Sequence, residues 1–242
     1  MKILQFHRHK LTISIRQWLQ PLPPPRTNFS NSNTTIRRIT RNIMCSSTEK
    51  SPAASLAAQS LQEFCTSLSS KQPTPGGGAS AAVGAAVGAG AAAMSGAYTQ
   101  RKKDEESGAA EAARLMISKM DIPSLLAMAD DDVHAYKSLQ STWKKDSGLS
   151  QEQIDEIQAN ALKVPTVLVE ACHERIVAVH TFLPSCNPNI TSDAKVGIHQ
   201  LAGAARAAYQ TVLVNSPPAE EKNRLLGLLR EIQEIENKLL GL

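Results

Sequence analysis

Apolar residues recur at helical spacing along almost the whole chain after residue 54, and no useful run alternates apolar and polar positions as a strand would. "SLAAQSLQEFCTSL" opens the series, with Leu56, Leu61, Phe64 and Leu68 near one face. Residues 79–98 are nearly all Ala, Gly, Val and Ser, uncharged until Arg101, and the charge run "RKKDEES" follows. "GAAEAARLMISKM" predicts a third helix and "PSLLAMADDDVHAYKSLQSTW" a fourth, with Pro123 in its first turn. Residues 147–179 predict a long helix in which Pro165 should introduce a kink. "LPSCNPNI" reads as a loop, and "TSDAKVGIHQLAGAARAAYQTVLVN" as another long helix stopped by Pro217 and Pro218. "AEEKNRLLGLLREIQEIENKLL" closes the chain. The pattern predicts an all-α fold, an antiparallel bundle of six to eight helices around a central Ala/Gly-rich helix.

Residues 79–98 approach the roughly 20 apolar residues of a membrane span. Ala and Gly are weakly apolar, however, and Ser80 and Ser95 intervene, so a buried central helix is the better reading. Small side chains at Gly84, Gly88 and Ala92 would let neighbouring backbones approach closely. With only 4 % aromatic residues, the core must be built from Ala, Leu, Val and Ile.

Charge divides the chain. Residues 1–48 hold eight of the 26 bases and none of the 22 acids, so 18 bases face 22 acids in the remainder. A mildly acidic body argues against a nucleic-acid surface. The acid-free first segment, rich in Ser, Thr, Asn and Arg, reads as a plant-type transit peptide or a disordered basic tail over residues 1–48, ahead of a helical domain over 49–242. Translation from Met1 implies a plastid or mitochondrion, and a start at Met44 implies the cytoplasm. Cys45, Cys65, Cys172 and Cys186 lack C-x-x-C spacing and read as reduced thiols.

Three motifs carry possible chemistry. The glycine run of "PTPGGG" breaks regular structure and offers backbone N–H groups at a helix start, where an anion or carbonyl oxygen can bind; a simple turn is the alternative. In "ADDDVHAY", successive helical residues turn by about 100°, so three adjacent aspartates cannot share a face. The stripe of Leu125, Leu126, Met128, Ala129, Val133, Tyr136 and Leu139 includes Asp132 and leaves Asp130 and Asp131 to solvent. An inward carboxylate should titrate high and suit proton transfer, unless it merely caps a helix or pairs with a base. In "SCNPNITSD", Asn187 and Asn189 flank Pro188, and Thr191 or Ser192 can cap the next helix with Asp193 in its first turn. No histidine spacing completes a metal triad, so no metal is expected.

"PTPGGG" before an Ala-rich helix, "TQRKK" after it, "DDDVHAY", "SCNPNITSD" and "AAYQTVLVN" together resemble the cyclodeaminase/cyclohydrolase family. This comprises the C-terminal half of formiminotransferase-cyclodeaminase and the stand-alone methenyltetrahydrofolate cyclohydrolases. The resemblance spans roughly residues 55–240 and implies a helical homodimer with a folate pocket beside the glycine loop. It places the catalytic aspartate at Asp132. Substrate-binding positions fall on Thr74, Gly76, Gly77, Gly78, Lys102, Asn189, Ser192, Asp193 and Asn215, with Asn187 in the same Asn-Pro-Asn turn. Small side chains on the central helix are then expected to bring Asp132 and that turn close together. The substrate implied is a tetrahydrofolate derivative, with no tightly bound cofactor and neither nucleic acid nor membrane as partner.

Two positions depart from the family pattern: Ala79 stands where it has Ser, and Thr211 where it has Asn. Two other readings therefore stay open. One is a member repurposed as a cyclase in plant specialised metabolism, closing an iridoid or monoterpenoid ring from a reactive enol-aldehyde. The other is a non-catalytic folate-binding protein.

Overall fold

The computed structural model describes residues 55–144 and 148–242. The basic segment 1–48, with Met44 and Cys45, lies outside the described residues. Eight α-helices and no strand occur among the described residues: α1 Leu61–Leu68, α2 Gly77–Ala97, α3 Lys102–Ser107, α4 Ala109–Lys119, α5 Ile122–Ser141, α6 Gln151–Phe182, α7 Thr191–Val214 and α8 Ala219–Leu240.

α2, α5, α6 and α7 form an antiparallel four-helix bundle, with α2 between α5 and α7. Its core joins Ala82, Ala85 and Ala89 to Leu125, Ala129, Val169, Ile176, Ile198 and Leu201. Close approach explains the small residues. A Cβ on Gly88 would lie 3.0 Å from Leu201 N, and one on Gly197 only 2.8 Å from Ala92 N. Gly84 breaks the expected pattern, because a Cβ there would meet nothing within 4 Å. α8 packs along α6 and α7, fastened by Glu236 to His199 (2.9 Å) and Arg206 (2.5 Å), and by Arg224 to Glu170 (2.6 Å). α2 is the one described helix long and apolar enough to cross a membrane, and half of that stretch is buried in the bundle.

Two local readings are revised, and the charge run, given no structure from the sequence, is placed. The glycine run does not break the helix, since Gly76 is the N-cap and Gly77 and Gly78 already belong to α2. "RKKDEES" is ordered as α3, and Gly108, with φ of 79°, turns the chain from α3 into α4. Helix α6 runs unbroken through Pro165. Proline has no N–H, so the Ala161 carbonyl one turn back loses its helical donor. Asn215 Nδ2 replaces that donor at 3.0 Å.

Candidate functional site

α5 runs antiparallel to α2 and presents Asp132 to the first turn of that helix. Oδ2 of Asp132 accepts the Ala79 N–H at 2.9 Å. Gly78 makes room for the carboxylate, because a Cβ at that position would lie 1.9 Å from Oδ1. Burial pushes the Asp132 carboxyl above its ordinary value, and the Ala79 hydrogen bond pulls part of the way back. Among the described residues Asp132 has no cationic partner in an ion pair. Gly77 and Gly78 keep first-turn N–H groups without a described acceptor, so partial positive charge remains at the helix start. This corner can hold a polar substrate group while Asp132 exchanges a proton.

The neighbouring aspartates divide differently from the sequence reading. Asp131 is exposed. Asp130, expected in solvent, is half-buried and accepts Ser55 Oγ at 2.5 Å and Leu56 N–H at 2.8 Å, tying the first short turn to α5. Beside it a cavity of about 300 Å³ is lined by Gln59, Thr74, Pro75, Val133, His134 and Lys137, among others. Thr74 thus faces this cavity on another side of α5 from Asp132.

The remaining sequence-predicted residues do not gather around Asp132. Lys102 starts α3, beyond the far end of α2, with its side chain 93 % exposed and 4.0 Å from Glu106. At about 1.5 Å per residue, the 21 residues of α2 put that end roughly 30 Å from the glycines. Asn187 is buried at that same far end. Its Nδ2 donates to Tyr98 O (3.0 Å), its Oδ1 accepts Arg101 Nη1 (2.9 Å) and Asn189 N–H (3.2 Å), and its own N–H donates to Thr99 Oγ1 (3.0 Å). The Asn-Pro-Asn turn is therefore locked to the α2–α3 junction, and the expected closeness to Asp132 does not occur within one chain. Asn189 and Ser192 are exposed, and Ser192 Oγ donates to Asp193 at 3.1 Å. Neither Thr191 nor Ser192 caps α7; Ile190 is the N-cap, and Thr191 Oγ1 donates instead to Asn187 O. Asn215 returns to the glycine end, where its amide serves the Ala161 and Thr211 carbonyls.

Sequence reasoning missed Arg101 and Asp104. Arg101 grips Asp104 through Nε at 2.7 Å and Nη2 at 2.8 Å while reaching Asn187, and these bonds hold the Asp104 carboxyl at about 2. The available signal was the Arg-x-x-Asp spacing inside the charge run.

An all-α bundle that aims one carboxylate at the N-terminus of a central Ala/Gly helix defines the class of this site. The formiminotransferase-cyclodeaminase family model matches residues 60–234, and the chain belongs to that family. It is 27 % identical over 195 residues to the methenyltetrahydrofolate cyclohydrolase of Methylorubrum extorquens, a match covering 75 % of this chain and 94 % of that protein. The crystal structure of formiminotetrahydrofolate cyclodeaminase from Thermotoga maritima, 22 % identical, aligns with a TM-score of 0.59 over 75 % of this chain and 92 % of that one, showing a shared fold.

Proposed function

We propose that this protein is an enzyme acting on a tetrahydrofolate one-carbon derivative, with Asp132 as general acid and base. The observation that carries the reading is the half-buried carboxylate of Asp132, seated on Gly78 and bound by the Ala79 N–H. In the hydrolytic direction the methenyl carbon lies between two nitrogens that share a positive charge, which a nearby carboxylate favours. Water adds its oxygen to that carbon as one carbon–nitrogen bond breaks. Asp132 takes one water proton and returns it to the freed nitrogen, while the second proton leaves to solvent. In the deaminating direction the exocyclic folate nitrogen attacks the formimino carbon carried on the ring nitrogen; its own proton passes to the formimino nitrogen, and protonated Asp132 supplies the second proton with which ammonia departs. The first-turn N–H groups of Gly77 and Gly78 would bind a carbonyl or carboxylate of the substrate. The active unit is a homodimer without a tightly bound cofactor, in an organelle if translated from Met1 and in the cytoplasm if from Met44.

The loss of methenyltetrahydrofolate absorbance tests the reading directly. Wild type is expected to accelerate the loss, and Asp132→Asn to abolish it while still binding. Turnover surviving in Asp132→Asn would refute catalysis by this carboxylate. Ala79, fully buried and without a hydroxyl, favours a second reading in which the same carboxylate guides cyclisation of a small enol-aldehyde. In that case the folate does not bind, and enol-aldehydes raise the melting temperature instead.

A further inference from the structure

Past the glycine end the bundle changes shape, because α2 stops there and its neighbours continue. Asp132 stands level with Gly78 and Ala79, in the first turn of α2. α5 continues from Asp132 to Ser141, and α6, which packs on α5, covers the same stretch between Gln151 and Ala161. At about 1.5 Å per residue, the two helices project roughly 13–15 Å past the start of α2. The face that α5 turns to α2 as far as Asp132 therefore has no α2 opposite its last turns. That bare stretch carries aromatic rings. Tyr136 lies one turn beyond Asp132 and about 40° round the helix from it, on the same face. Trp143, just past the helix end, brings its ring to Tyr136, with centroids 6.1 Å apart and planes at 87°. This is the one ring pair among the described residues of a chain only 4 % aromatic. Tyr136 is half-buried, but Trp143 is 62 % exposed, although tryptophan is highly buried on average. Edge-to-face packing fixes both rings and covers at most one of their flat faces.

We propose that Tyr136 and Trp143 form a platform that receives the planar conjugated ring of the substrate and sets its reacting carbon against Asp132. The inference rests on the enzymatic reading above for the identity of that ring. The methenyl carbon of the proposed substrate belongs to a flat, positively charged system, and the negative face of an aromatic ring attracts such a cation. Hydrolysis removes the charge, so the platform holds substrate more tightly than product and eases release. Tyr136, one turn from Asp132, fixes how far the ring can slide along α5. The first-turn N–H groups of Gly77 and Gly78 remain free to take a polar edge of the substrate. Tyr136 and Trp143 act by binding and positioning, and the proton transfer stays with Asp132.

Tryptophan fluorescence tests the platform without any turnover. The chain has two tryptophans, so Trp18→Phe leaves Trp143 as the single reporter. Pterin, which has the fused ring and no tail, is expected to quench Trp143 emission saturably after correction for its own absorbance. Glutamate, which has the acidic tail and no ring, should leave the emission unchanged. With Asp132→Asn added to stop the reaction, methenyltetrahydrofolate should quench at lower concentration than its uncharged formyl product. In kinetics, Trp143→Ala should raise KM about tenfold, the size of one base–aromatic stack, while kcat changes less than threefold. Trp143→Phe should recover most of that loss. Trp143 is exposed, so helicity by circular dichroism should be the same in all three proteins. An unchanged KM in Trp143→Ala, or a loss confined to kcat, would overturn the proposal and leave the pair as a prop for the end of α5. Failure of pterin to quench Trp143 overturns it whether or not methenyltetrahydrofolate is turned over. Quenching by pterin in a protein that never turns over methenyltetrahydrofolate supports the platform and sinks only the enzymatic reading.

Discussion

Gly78 and Asp132 occupy each other's space: a methyl group on the glycine would stand 1.9 Å from Oδ1 of the aspartate. No rearrangement of a flexible side-chain end resolves that overlap without moving the carboxylate itself. Gly78→Ala is therefore expected to lower kcat/KM about a hundredfold, since small displacements of a reacting group carry penalties of that order. Gly227→Ala in α8, where a Cβ would meet nothing within 4 Å, should leave activity within about threefold and serves as the control. Equal losses in both variants would mean that the position of Asp132 does not govern turnover.

Asp132 also has a predictable effect on stability. Its folded-state value is raised, chiefly by burial, so its contribution is fullest below the unfolded value and is lost as pH rises through the folded one. Ionising the carboxyl weakens the fold, so Asp132→Asn should raise the melting temperature by more at high pH than at low pH, while activity disappears. A melting temperature that falls at pH 7 would contradict this account.

Asn215 and Pro165 should be coupled. Asn215→Ala leaves the buried Ala161 carbonyl without a donor and is expected to cost about 1–3 kcal/mol. In a Pro165→Ala background the restored N–H takes over, and the same change should cost less than half as much. Chemical denaturation of the four variants measures the coupling. If Asn215→Ala instead raises KM with stability unchanged, the amide serves substrate and not the helix.

Acid should loosen α8 from the bundle. Burial alone would raise the Glu236 carboxyl, but hydrogen bonds from Arg206 and then His199 outweigh it and leave the value lowered. Such a group stabilises above its unfolded value, and that stability is lost as pH falls through the folded value. Stability should thus decline below about pH 4.5. Arg206→Gln should remove about 1–2 kcal/mol at pH 7 and flatten the acid limb of a melting-temperature profile. An unchanged profile would show that Glu236 does not link α8 to pH.

Much of the bundle was legible because helical periodicity is local: the Leu125–Val133 stripe, the Pro217–Pro218 stop and the inward turn of Asp132 follow from spacing alone. The glycine run misled because it suggests flexibility, whereas Gly77 and Gly78 are helical and the glycine at 78 makes room for Asp132, 54 positions beyond it. Pro165 misled because its missing donor is replaced by Asn215 from a different helix. The candidate site was legible at Asp132 and the glycines. It was not legible as a spatial set, because motif order does not reveal that α2 separates Lys102 and Asn187 from them.

Helix α2 also acts as a spacer. Its buried side chains, nearly all methyl or hydrogen, fix how far α5 stands from α7, and none among them is bulky enough to yield and take up an error. Adding a single carbon at Ala82, Ala85 or Ala89 would work like a shim beneath one leg of a table, tilting α5 and the carboxylate it carries. Alterations several turns from the glycine end should therefore retune which substrates fit, without any new contact to them.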